Sequence, residues 1–188
     1  DTVCHEHLEY YCLEQIRYMA DTNGLRIFKV ELNNANGGSI RVFVCHKNSS
    51  YIPIDNSVAK FLEWESASGF DGLEVFHGFS DRVEKIKDQL TEFISHATEI
   101  GKTVYGYGAS TKGNVILQSC GLNHRSIVAM ADRNPEKWGR FTPGTRIPII
   151  SEKQARQMKP DYFLVLPWHF RQEFVERETD FLAHGGQF

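Results

Sequence analysis

The sequence is short of several things at once, and each shortage removes a class of protein. Cysteine is sparse: Cys4, Cys12, Cys45 and Cys120 are scattered through 188 residues with no CxxC pair. That pattern points away from a disulfide framework or a zinc knuckle and suits a reducing cytoplasm. No apolar run approaches the roughly 18 residues of a membrane span, and the opening Asp1-Thr2-Val3-Cys4-His5-Glu6-His7 lacks the basic and apolar regions of a signal peptide. Neither sign of charge dominates. The 21 basic and 24 acidic residues leave a net charge of −3, which argues against a broad nucleic-acid-binding face. There is no repeat, no low-complexity tract and no initiator methionine, and the first residues read as the end of a strand, so a piece of a longer protein is expected. What remains is a chain with 41% hydrophobic residues, enough to bury a core in one domain or one and a half.

Periodicity divides the chain into a short first part and a longer second one. Leu8, Tyr11, Cys12, Ile16 and Met19 recur at helical spacing, and Asn23-Gly24 supplies a stop. Two strand-like runs follow, Leu25 to Leu32 and Ser39 to Cys45, joined by a polar turn. Residues 46 to 72 read as a connection with a helical patch from Val58 to Trp64. A long amphipathic helix is predicted from about Ser80 to Ile100, with Val83, Ile86, Leu90, Phe93, Ile94 and Ala97 on one stripe and Gly101 as terminator. The pattern then turns to strand, helix, strand: Thr103 to Tyr107, Asn114 to Cys120, Ile127 to Ala131. This is the first half of a doubly wound α/β sheet with parallel strands. An arm from Arg133 to Pro148, a capped helix start at Ser151, a third buried strand at Asp161 to Leu166 and a last helix from Phe170 to Leu182 complete it.

Two constellations carry chemistry. The first is Tyr105-Gly106-Tyr107-Gly108-Ala109-Ser110-Thr111-Lys112-Gly113-Asn114, a glycine turn between a strand and a helix. Glycines let the backbone turn tightly, and amides opening the next helix attract an anion, so the segment reads as a phosphate cradle with Lys112 as an added positive charge. The third glycine of G-x-G-x-x-G would fall at Thr111 and comes instead at Gly113, which argues against an ordinary NAD site. Asp132, at the end of the next strand, suits a ribose hydroxyl; aspartates also cap turns there, notably before Asn134-Pro135. Arg133, Lys137, Arg140 and Arg146 offer a positive rim for a diphosphate, the ordinary alternative being loop charges that face water. The second constellation is His5-Glu6-His7 with Tyr10 and Tyr11. A histidine with an ordinary pKa of roughly 6.5 takes a proton near neutrality, which makes His7 a candidate general base. The spacing is not H-E-x-x-H, so no metal site is assigned.

Together these stretches resemble the S-adenosylmethionine-dependent sugar C-methyltransferases, in the C-terminal portion. The likeness rests on His5-Glu6-His7-Leu8-Glu9-Tyr10-Tyr11, Asn36-Gly37-Gly38-Ser39-Ile40-Arg41-Val42, the turn from Gly106 to Asn114, Asp132-Arg133-Asn134-Pro135-Glu136-Lys137, Gly139-Arg140-Phe141-Thr142-Pro143-Gly144-Thr145, Ile147-Pro148-Ile149 and Pro167-Trp168, in order along nearly the whole chain. The resemblance implies that residues 1–50 are the last helix and two strands of a class I methyltransferase domain, and residues 51–188 a Rossmann-like domain that holds a sugar nucleotide. Upstream segments would bind S-adenosylmethionine and, in an N-terminal domain, zinc.

The implied partner is a nucleotide-linked keto-deoxysugar, with no nucleic acid and no membrane. His7 would match the catalytic base, with Glu6 beside it; Gly106, Gly108, Ala109, Ser110, Lys112, Asn114, Asp132, Arg133, Lys137, Arg140, Ser39 and Arg41 would line the substrate site. Where relatives often carry a tyrosine three residues before the base, this chain has Cys4. Two other functional classes stay open from the residues alone: an NAD(P)-dependent Rossmann oxidoreductase, and a noncatalytic nucleotide-sugar-binding module.

Overall fold

A computed structural model describes residues 7–50 and 52–188. The chain forms two compact units, one comprising the described residues up to Val83 and the other Glu84–Phe188. In the first, helix α1 (Leu13–Thr22) is followed by strands β1 (Leu25–Asn33) and β2 (Ser39–His46) and by helix α2 (Asn56–Ala67). The strands pair antiparallel from Leu25 opposite His46 to Asn33 opposite Ser39, with an irregularity between Ile27 and Lys29. Leu13, Ala20, Ile27, Val30 and Val58 make the core, with Phe61 and Leu62 packed on it, so α2 covers an apolar face that α1 and the hairpin leave open.

Helix α1 begins five residues later than the apolar spacing predicts: Leu8 is 89% exposed and Tyr11 51%. The cause is a cap supplied from far along the chain. The Glu65 carboxylate, on α2, accepts from the backbone N–H of Leu13 at 2.7 Å and of Glu14 at 3.3 Å, while the Cys12 N–H donates to Gln15 Oε1 at 2.8 Å. A negative charge on the first-turn amides suits a helix N-terminus, whose donors otherwise go unmatched. Glu65→Ala is expected to destabilise the first unit by about 1–3 kcal/mol, read as a lower denaturation midpoint with an unchanged m-value.

Helix α3 (Glu74–Glu99) starts earlier than the predicted Ser80 and ends near the expected Gly101, whose φ of +74° closes it. In the second unit its Ile94 and Ala97 are buried while Ile86 and Phe93 are exposed, so only part of the predicted stripe enters the core. The sheet is fully parallel in the order β5-β4-β3-β6, with β3 at Val104–Tyr107, β4 at Met130–Asp132, β5 at Ile149–Ser151 and β6 at Tyr162–Val165. Alternation along β3 sends Val104 and Gly106 to one face and Tyr105 and Tyr107 to the other. Ile94, helix α4 (Thr111–Ser119) through Leu117, Met130, Ile147 and Leu166 fill the first face. Helices α5 (Glu152–Gln157), α6 (Arg171–Arg177) and α7 (Thr179–Ala183) cover the second through Ala155, Phe174 and Phe181. This is the Rossmann-like α/β arrangement expected.

Three details differ from the sequence reading. Strand β5 falls at the end of the predicted arm, and the arm is itself a stitched loop: Gly139 N–H donates to Ile149 O and Ile149 N–H to Arg140 O, at 2.9 and 2.8 Å. Thr142, 2% exposed, accepts from Ile147 N–H at 2.9 Å. Helix α4 begins at Thr111, three residues early, because Ser110 caps it. The single last helix is broken at Glu178, where φ −102° and ψ 35° leave the helical region.

At the strand starts, Asp161 accepts from Lys102 Nζ at 2.7 Å and from Thr103 N–H at 2.9 Å. Those donors, Lys102 first, hold its carboxyl at about 2, below the ordinary 3.8. The stabilisation is therefore complete above 3.8 and lost as pH falls towards about 2. Asp161→Asn is expected to remove that segment of the acid-unfolding curve and leave the rest unchanged.

Candidate functional site

The glycine turn lies where strand order reverses: β4 and β5 extend to one side of β3, and β6 lies on the other. In open α/β sheets the crevice outside the carboxyl ends of the strands at such a point is where ligands bind. Each glycine has a distinct steric reason. A Cβ on Gly106 would sit 2.2 Å from Met130 Sδ; Gly108 has φ +88° and would meet Pro167 Cγ at 2.7 Å; a Cβ on Gly113 would meet Leu166 Cβ at 2.8 Å. Gly113 thus lets α4 approach the end of β6, the task given to a third glycine, while Thr111 opens the helix exposed.

Most amides of the turn already have partners within the protein. Gly108 N–H donates to Ala131 O at 2.8 Å, Ser110 N–H to Gly108 O at 3.0 Å, and Gly113 N–H to the Ser110 hydroxyl at 3.0 Å. Ala109 N–H donates to Asp132 Oδ2 at 2.8 Å. Among the described residues no acceptor is assigned to the amides of Thr111 and Lys112, in the first turn of α4. Asn114 Oδ1 is buried and has no hydrogen-bond partner among the described residues.

Asp132 is nearly buried and heavily engaged. Its Oδ1 accepts from Asn134 N–H at 2.8 Å, its Oδ2 also from Lys137 Nζ at 3.0 Å, and its carbonyl from Trp138 Nε1 at 2.8 Å. Lys137 Nζ donates in addition to Ala109 O at 2.8 Å. Asp132 and Lys137 therefore join the turn after β3 to the loop after β4. Arg133 and Arg140 are exposed and Lys112 half-buried at this end of the second unit.

The remaining candidates belong to the first unit. His7 is exposed in the segment preceding α1. Ser39 donates to Ala35 O at 3.1 Å, and Arg41 faces Glu31 across the hairpin with a 4.0 Å ion pair. Glu6, with Cys4 and His5, lies outside the described residues.

A buried polar cluster escaped the sequence reading. Glu178, 1% exposed, accepts from Arg156 Nε at 2.8 Å and from the Tyr107 hydroxyl, while Arg177 Nη2 donates to Tyr107 Oη at 3.1 Å and to Glu152 at 3.2 Å. Burial alone would push the Glu178 carboxyl up; the hydrogen bonds from Arg156 and Tyr107 and the two guanidinium charges outweigh it and hold it below the ordinary 4.5. Burial, then the bond to Glu178, push the Tyr107 hydroxyl far above its usual range. No local motif announces this cluster, since the bonds that assemble it join residues 22 to 71 apart.

Among the described residues no three His, Cys, Asp or Glu side chains are grouped to hold a metal ion, and no helix is long and apolar enough to cross a membrane. Residues 34–188 match the family model described as the C-methyltransferase C-terminal domain. The whole chain is 37% identical to the C-methyltransferase NovU of Streptomyces niveus over 188 residues, covering 44% of that protein's length. The chain thus spans less than half the length of this curated relative. A parallel α/β unit with its glycine turn at the switch point, matched over most of the chain, places this protein in the C-methyltransferase C-terminal domain family.

Proposed function

We propose that this chain is the substrate-holding part of an S-adenosylmethionine-dependent C-methyltransferase acting on a nucleotide-linked keto-deoxysugar. The observation that carries the reading is the glycine turn at the switch point, in a chain of this family, with two first-turn amides of α4 left to meet a diphosphate. Lys112 adds positive charge there, and Arg133 and Arg140 supply the exposed rim. Asn114 Oδ1 offers an acceptor to a sugar or ribose hydroxyl.

The turn does not suit the methyl donor itself: both carboxylate oxygens of Asp132 are already engaged, so Asp132 is not free to hold the two hydroxyls of an adenosine ribose. S-adenosylmethionine is accordingly assigned to segments outside this chain, as is zinc, and when bound there it supplies an electrophilic methyl group. This chain's residues do the rest. A ketone acidifies the hydrogen on the neighbouring sugar carbon, because the carbanion is delocalised onto oxygen as an enolate. His7 accepts that proton, with Glu6 orienting the imidazole or a sugar hydroxyl, and the cradle fixes the sugar so that the carbon faces the donor. Ser39 and Arg41 extend the substrate contacts. We assign this activity to the cytoplasm, a reading that the scattered cysteines support.

In the full-length protein, His7→Ala is expected to bind nucleotide deoxysugar within about twofold of the original affinity and to lose about 10²–10⁴-fold in methyl transfer. Unchanged turnover removes His7 as the base.

A further inference from the structure

One ion pair grips both polar atoms of a single residue in the turn. Ala109 donates its N–H to Asp132 Oδ2 at 2.8 Å, its carbonyl accepts from Lys137 Nζ at 2.8 Å, and Nζ lies 3.0 Å from the same Oδ2. The Asp132 side chain is 10% exposed, so its charge is poorly screened by water. Ala109, which it holds by the amide, lies two residues before Thr111 at the start of α4, and a carboxylate bonded there is an odd neighbour for a diphosphate. Lys137 resolves the conflict by placing a positive charge on the carboxylate itself.

We propose that Lys137 is a positioning residue that acts through Asp132: it cancels the carboxylate charge beside the diphosphate seat, and it does not touch the diphosphate. The inference rests on the reading of the turn as that seat. It departs from a rim lysine that contacts phosphate directly, and the two roles differ in what Asp132 does. If Lys137 acts through Asp132, removing the carboxylate removes the need for the lysine. If Lys137 holds phosphate, removing Asp132 restores nothing.

The test measures the Kd of the full-length protein for thymidine 5′-diphosphate and uridine 5′-diphosphate, with the melting temperature of every variant. Lys137→Met is expected to weaken the better diphosphate about tenfold, Lys137→Arg less than about threefold, and Asp132→Asn/Lys137→Met to return to within about threefold of the unsubstituted protein. A double variant as weak as Lys137→Met overturns the inference. Should Lys137→Met fail to fold, Lys137→Gln takes its place in the single and the double variant: rescue by Asp132→Asn to within about threefold supports the inference, and a double variant as weak as the single one overturns it. If the unsubstituted protein binds neither diphosphate, the seat itself is wrong and the inference falls with it; if it binds and the double variant is not rescued, only the inference falls.

Discussion

Replacing Glu178 by alanine is expected to cost the second unit about 2–3 kcal/mol, since it leaves a buried hydroxyl unmatched while Arg156, 42% exposed, keeps water and Glu152. The carboxylate is the hub of its cluster. It receives Arg156 Nε at 2.8 Å and the Tyr107 hydroxyl; without it the buried hydroxyl loses its acceptor and Arg156 keeps the 3.1 Å bond to Glu152. Glu178→Gln is expected to fall between alanine and the original residue, because one amide oxygen still accepts. Tyr107→Phe should cost less, about 1–2 kcal/mol, since the ring keeps its contacts with Phe163 and Phe174 at centroid distances of 4.9 and 4.7 Å. Acid resolves the same charge independently. The folded carboxyl lies below the ordinary 4.5, so its stabilisation is present above that value and disappears as pH falls through the folded value. Glu178→Gln is expected to flatten stability against pH in that acid range, measured by chemical denaturation at stepped pH.

Gly108→Ala is expected to cost about 2–5 kcal/mol from two separate sources. At φ +88° an L-residue loses about 1–2 kcal/mol relative to glycine, and the new Cβ lies 2.7 and 2.9 Å from Cγ and Cδ of the Pro167 ring, which cannot rotate away; such overpacking adds about 1–3 kcal/mol. The turn also re-aims the amides that follow it, so diphosphate affinity should fall with stability. Gly113→Ala makes an instructive contrast. In an open helical position the change gains about 1 kcal/mol; here the methyl meets Leu166 Cβ at 2.8 Å, so a net loss is expected. A stabilised Gly113→Ala protein, judged by thermal melting, contradicts the close approach of α4 to the end of β6.

Much of the second unit was legible because its signals are local. A four-residue apolar strand, a glycine turn and a helix follow one another within sixteen residues from Val104 to Ser119, and the alternation along β3 matches the two faces it separates. Strand β5 was not legible: it is three residues long and owes its existence to pairing with β4, from Met130 opposite Ile149 to Asp132 opposite Ser151. The start of α1 was misplaced because Leu8 and Tyr11 mimic helical spacing, whereas the cap that fixes the helix comes from Glu65, 52 residues from Leu13. The break at Glu178 follows from a tertiary demand, since its carboxylate is bound by side chains from β3 and α5.

The site divides the same way. Glycine positions could be read directly, because each glycine answers a steric requirement visible as a pattern. The occupation of Asp132 could not, because Ala109, Asn134 and Lys137 converge on it only after β3 and β4 align. A carboxylate at a strand end suggests a ribose ligand by position, yet here it braces two loops. Ser110 similarly reads as a phosphate contact by its place in the turn and serves as the cap of α4.

The most direct test of the account is an amide-resolved NMR titration of the full-length protein with a nucleotide-linked deoxysugar, NAD and S-adenosylmethionine, each added alone. The account predicts that the deoxysugar nucleotide shifts the amides of Gly108, Thr111 and Lys112 in the turn. Shifts at these positions caused by NAD and not by the deoxysugar nucleotide would contradict it.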